Sequence, residues 1–331
     1  MSDDPPCYMK EVVAQPTVVV GAGAVGSALA RALHEHGAPI IGIVSRTHAD
    51  AAALASKVDA EHVSSSVTQI PPATKRVLIC VPDQQLDQVA GELARASLAH
   101  PWIAAHTSGA HAAEVLAPLR AAGAALLSIH PLQTFTNETP PSAFQGIWMT
   151  LEGDENAYGY GEALAKGLGA SPQHLESGAK PLYHLSAVLA SNGFVALLAA
   201  AQHVWENAGL EPSKAFNALS PLVERTWMNI QNNGTDALTG PAARGDHKTI
   251  ATHIAALHAS SERPRGEEVL PEEAKSRVME QNMEMERLYA SLTNVMIQLQ
   301  RQAGKLSQRD AVRVQNILKN SLYKVERNNS A

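Results

Sequence analysis

Short apolar runs alternate with helix-forming stretches through the first half of the chain. The run Thr17–Val20 is bounded by Pro16 and Gly21, and the residues from Ala24 to His36 then switch to helix formers. A β-branched run followed by a helical stretch predicts a buried strand that leads into a helix. Because the alternation recurs, we predict an α/β fold with a doubly wound parallel sheet. Further strands are predicted at residues 39–44, 76–81, 102–106, 124–129, 146–151 and 173–175.

The pattern changes after about residue 176, where apolar strands stop and long helical stretches follow. We therefore predict a flexible lead-in over residues 1–15, an α/β domain over 16–176 and an all-α domain over 177–331. The first long helix starts at Pro181, which is tolerated at a first helical position, and Gly209 ends it. The helices of the second domain are predicted at residues 181–208, 212–232, 247–260, 272–302 and 308–325.

The helix predicted at residues 272–302 carries apolar side chains at a spacing of seven. The series is Val278, Met285, Leu292 and Leu299, with Leu288 and Val295 between them. A heptad-like seam of this kind either packs against its own domain or joins two copies of the chain. Both alternatives stay open at this point, and we expect a homodimer formed through the helical domain.

A glycine motif lies between the first strand and the first helix. Gly21, Gly23 and Gly26 have the Gly-x-Gly-x-x-Gly spacing. The first glycine permits a tight turn, the second lets the backbone approach a pyrophosphate, and the third lets the helix pack closely on the strand. The helix N-terminus adds free N–H groups and a partial positive charge. We predict that Ala24 and Val25, together with these glycines, bind a dinucleotide.

The end of the second strand indicates which dinucleotide is bound. Ser45, Arg46 and Thr47 stand about 20 residues after the last glycine, where the residue that contacts the adenosine ribose is expected. An acidic residue there would favour NAD, whereas a guanidinium and two hydroxyls suit a 2′-phosphate. The sequence therefore predicts NADP as the cofactor, with a solvated loop position for Arg46 as the alternative. Val81 and Pro82, at the end of a later strand, are predicted to line the same cleft.

Composition narrows the function classes. The 331 residues are 45% hydrophobic and 18% charged, which predicts a globular chain of two domains. A net charge of −6 gives no sign of a nucleic-acid surface, so no nucleic-acid partner is expected. No unbroken apolar run reaches 18 residues, so no membrane partner is expected. The two cysteines, Cys7 and Cys80, cannot form a disulfide framework, which suits a cytoplasmic location. No Cys/His cluster is present, and we expect no metal site.

The start of the first long helix carries candidate catalytic residues. Lys180, His184 and Ser191 fall in a narrow arc of the predicted helix, and Asn192 lies beside that arc. A lysine at this end opposes the helix dipole, a cost that an anionic substrate would offset. A polar stripe on an apolar helix indicates either a site or a buried hydrogen-bond network. We expect Lys180, His184 and Asn192 to be catalytic and Ser191 to bind substrate.

Other candidates lie at strand ends and in the helical half. His130 follows a strand and suits a proton relay, with structural hydrogen bonding as the alternative. Ser108 suits the orientation of a substrate carbonyl, although a serine followed by glycine also forms ordinary turns. Arg244 suits two-point binding of a carboxylate. Thr239 and Asp246 are predicted to bind substrate beside it, and Asp246 also suits the N-cap of the next helix.

Six motifs follow one another in a recognisable order. They are Gly21–Gly26, Cys80–Asp83, His106–Ala110, His130–Phe135, Leu182–His184 with Ala190–Asn192, and Ala237–Pro241 with Arg244–Asp246. Over about residues 16–260 the chain resembles the Rossmann-like proteins whose second half is the domain of unknown function 2520. The resemblance implies membership of the 6-phosphogluconate dehydrogenase-like superfamily, with ketopantoate reductase, prephenate dehydrogenase and pyrroline-5-carboxylate reductase as relatives.

The resemblance implies an activity as well as a fold. In the β-hydroxyacid and ketopantoate branches a lysine early in the first long helix acts with an asparagine, and Lys180 and Asn192 are similar in kind but wider apart. We therefore expect an NADP(H)-dependent oxidoreductase that transfers a hydride between nicotinamide and a small carboxylate-bearing carbonyl or imine substrate. One alternative is an enzyme similar to prephenate dehydrogenase or pyrroline-5-carboxylate reductase. Another is a non-catalytic NADP(H)-binding redox sensor or assembly protein.

Overall fold

The computed structural model describes residues 14–99, 101–262 and 272–328. Most of the predicted lead-in, residues 1–13, lies outside this range. Eight strands are formed: β1 (Thr17–Val20), β2 (Ile40–Val44), β3 (His62–Ser64), β4 (Arg76–Ile79), β5 (Trp102–His106), β6 (Ala124–Pro131), β7 (Trp148–Gly153) and β8 (Ser171–His174). They form one sheet in the order β3-β2-β1-β4-β5-β6-β7-β8. The predicted α/β fold class is confirmed.

The helices alternate with the strands in the first half and follow one another in the second. The first four are α1 (Ala24–Glu35), α2 (His48–Ala55), α3 (Leu86–Leu93) and α4 (Glu155–Gly167). After the sheet come α5 (Lys180–Ala190), α6 (Asn192–Asn207), α7 (Ala215–Asn233), α8 (Pro241–Arg244), α9 (His247–Glu262), α10 (Glu272–Gln302) and α11 (Gln308–Asn328).

Strand β7 departs from the predicted parallel sheet, because it runs antiparallel to β6. The connection between them contains only a short 3₁₀ turn at Pro141–Phe144 and no crossover helix. A parallel neighbour needs such a crossover, so the chain instead returns along the edge of β6. Helix α4 then supplies a crossover, and β8 pairs parallel with β7.

Side chains of the sheet alternate between two apolar layers. Val19 and Leu78 belong to one buried cluster with α1, α2 and α4. Val18, Val20 and Ile79 belong to the other, with α3. Successive strand residues point to opposite faces, so helices on both faces bury all of β1 and β5 and most of β2 and β4. The sheet core therefore holds the carboxyl ends of β1, β2 and β4 rigidly beside one another.

The helix predicted over residues 181–208 is in fact two helices. Ser191 follows α5 with φ −110° and ψ −76°, and α6 starts at the next residue. Ser191, Asn192 and Gly193 are consecutive weak helix formers, because the side chains of the first two compete for backbone hydrogen bonds and glycine loses more backbone entropy. The polar stripe predicted across this point is therefore interrupted.

The stretch Lys180–Asn207 is apolar as well as long. Within the described residues it alone has the length and composition of a membrane span, with a mean hydropathy of 1.6. Only 6% of the 18-residue segment that has this hydropathy is buried. Helices of soluble proteins pass the same test of length and composition, so the absence of a membrane partner stays a prediction.

The chain divides into two compact units, residues 1–193 and 194–331. Unit 1 contains the sheet and α5, whereas the sequence analysis ends the first domain at residue 176. In unit 2, α9, α10 and α11 share an apolar core that includes Ile250, Ile297 and Val314. The three helices contact one another directly.

Helix α10 packs through a different face from the predicted heptad seam. Its buried positions are Asn282, Glu286, Ala290, Thr293, Ile297 and Gln300. The seam residues Met285, Leu288 and Leu292 are only half-buried and face a groove. The side chain of Val278 lies outside the described residues. The packing of α10 within its own unit therefore leaves these seam side chains only partly covered.

Candidate functional site

A cavity of about 600 Å³ opens at the carboxyl ends of β1, β2 and β4. In this strand order β1 and β4 mark the switch point, where ligands of open α/β sheets bind. The predicted cofactor residues Gly21, Gly23, Ser45, Arg46, Thr47, Val81 and Pro82 all line this cavity. Its volume lies in the range of small-molecule and cofactor sites.

Two of the three motif glycines are required by close backbone packing. Gly21 has φ +106°, and a Cβ there would overlap the carbonyl oxygen of Cys80. A Cβ on Gly26 would overlap the carbonyl oxygen of Gly21, which lies under the start of α1. Gly23 differs, because a Cβ there would meet nothing within 4 Å. Gly23 therefore faces open space in the cavity, where a pyrophosphate would approach.

Ala24, Val25 and Gly26 do not line the cavity themselves. They form the first turn of α1, whose N-cap residue Gly23 supplies no side-chain hydrogen bond. The first turn also contains no acidic residue. The N–H groups at this helix end are thus left for a phosphate, as the sequence analysis predicts.

The cavity lining that follows β2 in the chain combines cations, hydroxyls and the carboxylate of Asp50. Ser45, Arg46 and Thr47 belong to it, together with Lys57, which the sequence analysis did not select. The backbone N–H of Ser45 donates to the carbonyl of Ser64 at 3.1 Å, which fixes the loop beside β3. Two cations and two hydroxyls on one wall suit a phosphate group. The residues present therefore fit a dinucleotide with a 2′-phosphate.

Lys180 is buried at the same edge of the sheet. Its side chain is 1% exposed, and Nζ donates to the carbonyl oxygen of Ser108 at 2.7 Å. Nζ also donates to the hydroxyl of Ser128 on β6. Burial lowers the pKa of Lys180 to about 8, and the nearby carboxylates of Glu152 and Asp83 offset part of that decrease. Lys180 thus fastens the start of α5 to the ends of β5 and β6.

Three aromatic side chains, those of His130, Tyr183 and His184, form a group beside Lys180. The Nδ1 atom of His130 is 2.7 Å from the hydroxyl of Tyr183. The rings of His130 and His184 meet edge to face, with centroids 6.0 Å apart. A Cβ on Gly109 would lie 2.5 Å from Nδ1 of His184 and 2.8 Å from Nε2 of His130. Only a glycine therefore leaves room for both imidazoles.

The two histidines nearest Lys180 are held neutral. Burial lowers the pKa of His130 to about 4, and the neighbouring Lys180 lowers it further. Burial and Lys180 also lower the pKa of His106 to about 3. Nδ1 of His106 accepts from the Ser108 N–H at 3.1 Å, so its Nε2–H donates to Ala112. This neutral tautomer fixes the loop that carries Ser108.

The loop after β5 connects this cluster to the cofactor cavity. The hydroxyl of Ser108 accepts from the N–H groups of Ala110 and His111, as in an ordinary serine turn. Nδ1 of His111 lies 3.5 Å from the carboxylate of Asp83, the residue after cavity-lining Pro82. The cavity and the Lys180 cluster therefore lie in one unit, along one edge of the sheet.

The structure does not bring all the predicted residues into this cluster. Ser191 and Asn192 lie at the break after α5, and within the described chain no hydrogen bond joins either to Lys180 or the histidines. Thr239, Arg244 and Asp246 belong to unit 2. Asp246 accepts from the Thr249 N–H at 3.1 Å, as expected for a residue that caps α9. The substrate-binding roles of these residues stay predictions.

Sequence reasoning did not select three residues of the cluster as site residues: Tyr183, Ser128 and His106. Tyr183 stands directly before His184, and both follow Lys180 at one-turn spacing, so its position was a usable signal. Ser128 and His106 lie within apolar strands, where a polar residue usually means a structural hydrogen bond. Among the described residues, no group of three or more His, Cys, Asp or Glu side chains suits a metal ion.

The strand order, the glycine turn and the cavity at the switch point define a Rossmann-like α/β protein. Residues 9–131 match the family model of a Rossmann-like domain. Residues 147–269 match the model of a domain of unknown function, DUF2520. The chain thus combines a Rossmann-like domain with a DUF2520 domain, which confirms the resemblance drawn from its motifs.

Solved structures share this fold at low sequence identity. A Bacteroides fragilis protein named as a candidate NADP oxidoreductase is 22% identical, with a TM-score of 0.67 over 87% of this chain and 99% of that chain. A Thermotoga maritima protein is 23% identical, with a TM-score of 0.63 over 87% and 99%. An imine reductase from Myxococcus stipitatus in complex with NADP⁺ is 15% identical, with a TM-score of 0.54 over 90% and 99%. No curated protein matches the chain.

Proposed function

We propose that the protein is an NADP(H)-dependent oxidoreductase acting on a small carboxylate-bearing carbonyl or imine compound. The observation that carries this proposal is the position of two features along one sheet edge. One is the cavity lined by Gly23 and Arg46, and the other is the polar cluster around Lys180. Asp83 and His111, whose side chains lie 3.5 Å apart, connect the two features within the same unit. The fold shared with an imine reductase that binds NADP⁺ agrees with this function.

The bound nicotinamide would supply or accept the hydride, which is chemistry that belongs to the cofactor. The chain must then exchange one proton with the substrate oxygen or nitrogen and hold the substrate in place. Tyr183 suits the proton exchange, because its hydroxyl is half-buried and bonded to His130. Lys180 suits it less, because its ammonium is enclosed by Ser108 and Ser128. We assign Lys180 the positioning of α5 and a positive charge beneath the site.

His130 would act with Tyr183 as a relay. Because the pKa of His130 is lowered to about 4, its ring is neutral near pH 7 and carries one N–H. With that hydrogen on Nδ1, His130 donates to the Tyr183 oxygen while the Tyr183 hydroxyl donates to the substrate. When the substrate oxygen takes the phenolic proton, the Nδ1 hydrogen can move to the tyrosine oxygen as Nε2 takes a proton from water, so the imidazole stays neutral. His184, whose ring meets that of His130 edge to face, would border the substrate, with Ser191 and Asn192 as predicted anchors.

NADPH oxidation with a panel of 2-oxo acids and cyclic imines tests the function. We expect Tyr183→Phe to lower kcat at least tenfold while NADPH binding, followed by fluorescence titration, stays at the wild-type level. Turnover by Tyr183→Phe at the wild-type rate would refute the proton assignment. If NADPH binds but no compound in the panel is turned over, the non-catalytic redox sensor becomes the better account.

Cofactor preference is tested separately. We expect the wild-type protein to bind NADPH at least tenfold more tightly than NADH. Arg46→Ala should remove most of that preference by weakening NADPH binding alone, since NADH has no 2′-phosphate. Arg95→Ala is the control, because Arg95 is exposed two residues after the end of α3 and does not line the cavity. Equal affinities of the wild-type protein for both cofactors would overturn the assignment.

A further inference from the structure

One residue of the β6–β7 segment (residues 132–147) lines the cofactor cavity. This residue is Asn137, and every other residue of the cavity wall lies between Val20 and Glu92 in the chain. Asn137 is exposed, and its side-chain amide forms no hydrogen bond with the described part of the chain. A distant segment thus presents both a donor and an acceptor to the cavity.

Asn137 lies at the tip of a turn that hydrogen bonds hold in shape. The N–H of Thr139 donates to the carbonyl oxygen of Thr136 at 3.1 Å, which makes Asn137 one of the two central residues. The N–H of Thr136 donates in return to the Thr139 hydroxyl at 2.7 Å. Just before the turn, the ring of Phe135 packs against the buried Phe144, with centroids 5.2 Å apart. The position of Asn137 is therefore fixed by the fold.

Arg31 ties this turn to α1. Its Nη2 atom donates to the carbonyl oxygen of Thr139 at 2.6 Å, and its Nε atom donates to the carbonyl oxygen of Ser27 at 3.2 Å. Because both acceptors are neutral carbonyls, these bonds do not cancel the positive charge of the guanidinium. Arg31 therefore holds Thr139, two residues after Asn137, and adds positive charge to the cavity wall.

The flank of α1 that faces the cavity extends from the glycine turn to Arg31. Gly23, Ser27 and Arg31 follow one another at a spacing of four, and all three line the cavity. At the first of them, the N–H groups of the helix end are left for a phosphate. A guanidinium and a side-chain amide are further donors to phosphate oxygens. Helix α1 and the turn at Asn137 therefore present donors of the same kind to one cavity.

We propose that Asn137 is a cofactor-binding residue whose side-chain amide donates to the diphosphate of the bound dinucleotide. Arg31 is a positioning residue, because it holds the turn that carries Asn137 against α1. The inference rests on the dinucleotide binding that the proposed function requires. NADPH and NADH both contain the diphosphate, so this contact serves both, unlike the contact of Arg46 with a 2′-phosphate.

Fluorescence titrations with NADPH and NADH test the contact. We expect Asn137→Ala to bind both dinucleotides at least tenfold more weakly than the wild-type protein, because a hydrogen bond to a charged group is lost. Glu138→Ala is the matched control, since Glu138 is exposed in the same turn and does not line the cavity. That variant should bind both dinucleotides at least as tightly as the wild-type protein.

The titrations separate this inference from the proposed function. Wild-type affinities for Asn137→Ala would overturn the inference and leave the proposed function intact. A loss confined to NADPH would place Asn137 at the 2′-phosphate and would overturn the diphosphate contact. A wild-type protein that binds neither dinucleotide would overturn the inference together with the proposed function.

A double variant tests the positioning role of Arg31. Arg31→Met should weaken NADPH binding at least tenfold, because it removes the bond to Thr139 and the positive charge. Adding Asn137→Ala to Arg31→Met should weaken binding less than about twofold further, since Asn137 is then no longer held in place. If the losses of the two single variants simply add, Arg31 does not act through Asn137 and its positioning role is overturned.

Discussion

The ammonium nitrogen of Lys180 lies 2.7 Å from the carbonyl oxygen of Ser108, a residue 72 positions earlier in the chain. This bond joins the start of α5 to the loop after β5, and the same carbonyl oxygen also accepts from the Ser128 hydroxyl at 3.4 Å. It also places a positive charge near His106 and His130, whose pKa values are lowered first by burial and then by that charge. One buried lysine thus sets both the geometry and the electrostatics of the cluster.

Substitution of Lys180 should change how stability depends on pH. Its pKa is about 8 in the folded protein against an ordinary value of 10.5, so the unfolded chain binds the proton more strongly between these values. Wild-type stability should therefore rise from about pH 8 to about pH 10.5, by about 3 kcal/mol for this group. Lys180→Met should lose that rise in chemical denaturation, whereas the exposed Lys57→Met should keep it. An identical pH profile for Lys180→Met would contradict the buried position.

Acid should destabilise unit 1 through His106. Because Nδ1 of His106 accepts from the Ser108 N–H, a proton added to Nδ1 would lie against the hydrogen of that N–H group. The folded pKa is about 3 against 6.5, so the unfolded chain binds more protons in this window and stability falls as the pH decreases through it. His106→Gln should show a shallower loss between pH 6.5 and 4 in urea titrations. His36→Gln, at an exposed position, should keep the wild-type slope.

Gly109→Ala should impair turnover without loss of cofactor binding. The added methyl would lie 2.5 Å from Nδ1 of His184 and would push at least one imidazole out of place. We expect kcat to fall at least tenfold, with little change in NADPH affinity, because the cavity residues are untouched. Gly91→Ala is the control, since a Cβ there meets nothing within 4 Å and alanine favours the helix. Wild-type kcat for Gly109→Ala would show that the ring arrangement is not needed.

Two glycine variants should separate folding from cofactor binding. In Gly26→Ala the Cβ overlaps the Gly21 carbonyl oxygen, so we expect a loss of stability of several kcal/mol. In Gly23→Ala the Cβ meets no protein atom, so thermal stability should stay near that of the wild type. NADPH affinity should nevertheless fall at least tenfold in Gly23→Ala, because the methyl occupies the path of the pyrophosphate. Unchanged NADPH affinity in this variant would argue against the phosphate position.

Local pattern was sufficient for most of the elements and for the cofactor cavity. The strand Thr17–Val20, the three glycines and helix α1 are consecutive in sequence, and their chemistry is set by near neighbours. The position of Arg46 and its neighbours beside the glycines was predictable from the first strand–helix–strand segment, because a parallel strand pair brings its carboxyl ends to one edge of the sheet. The helix at Glu272–Gln302 was predicted with its observed bounds. Periodicity predicts such features because it reports burial within a single element.

Long-range contacts decided the rest. The connection between β6 and β7 contains no helix to carry the chain across the sheet, and β7 therefore runs antiparallel to β6. The helix predicted through Ser191 is interrupted at that residue. The Lys180 ammonium finds acceptors 72 and 52 residues away, and Tyr183 meets His130 across 53 residues. Spacing along one helix cannot show such partners, because they belong to separate strands.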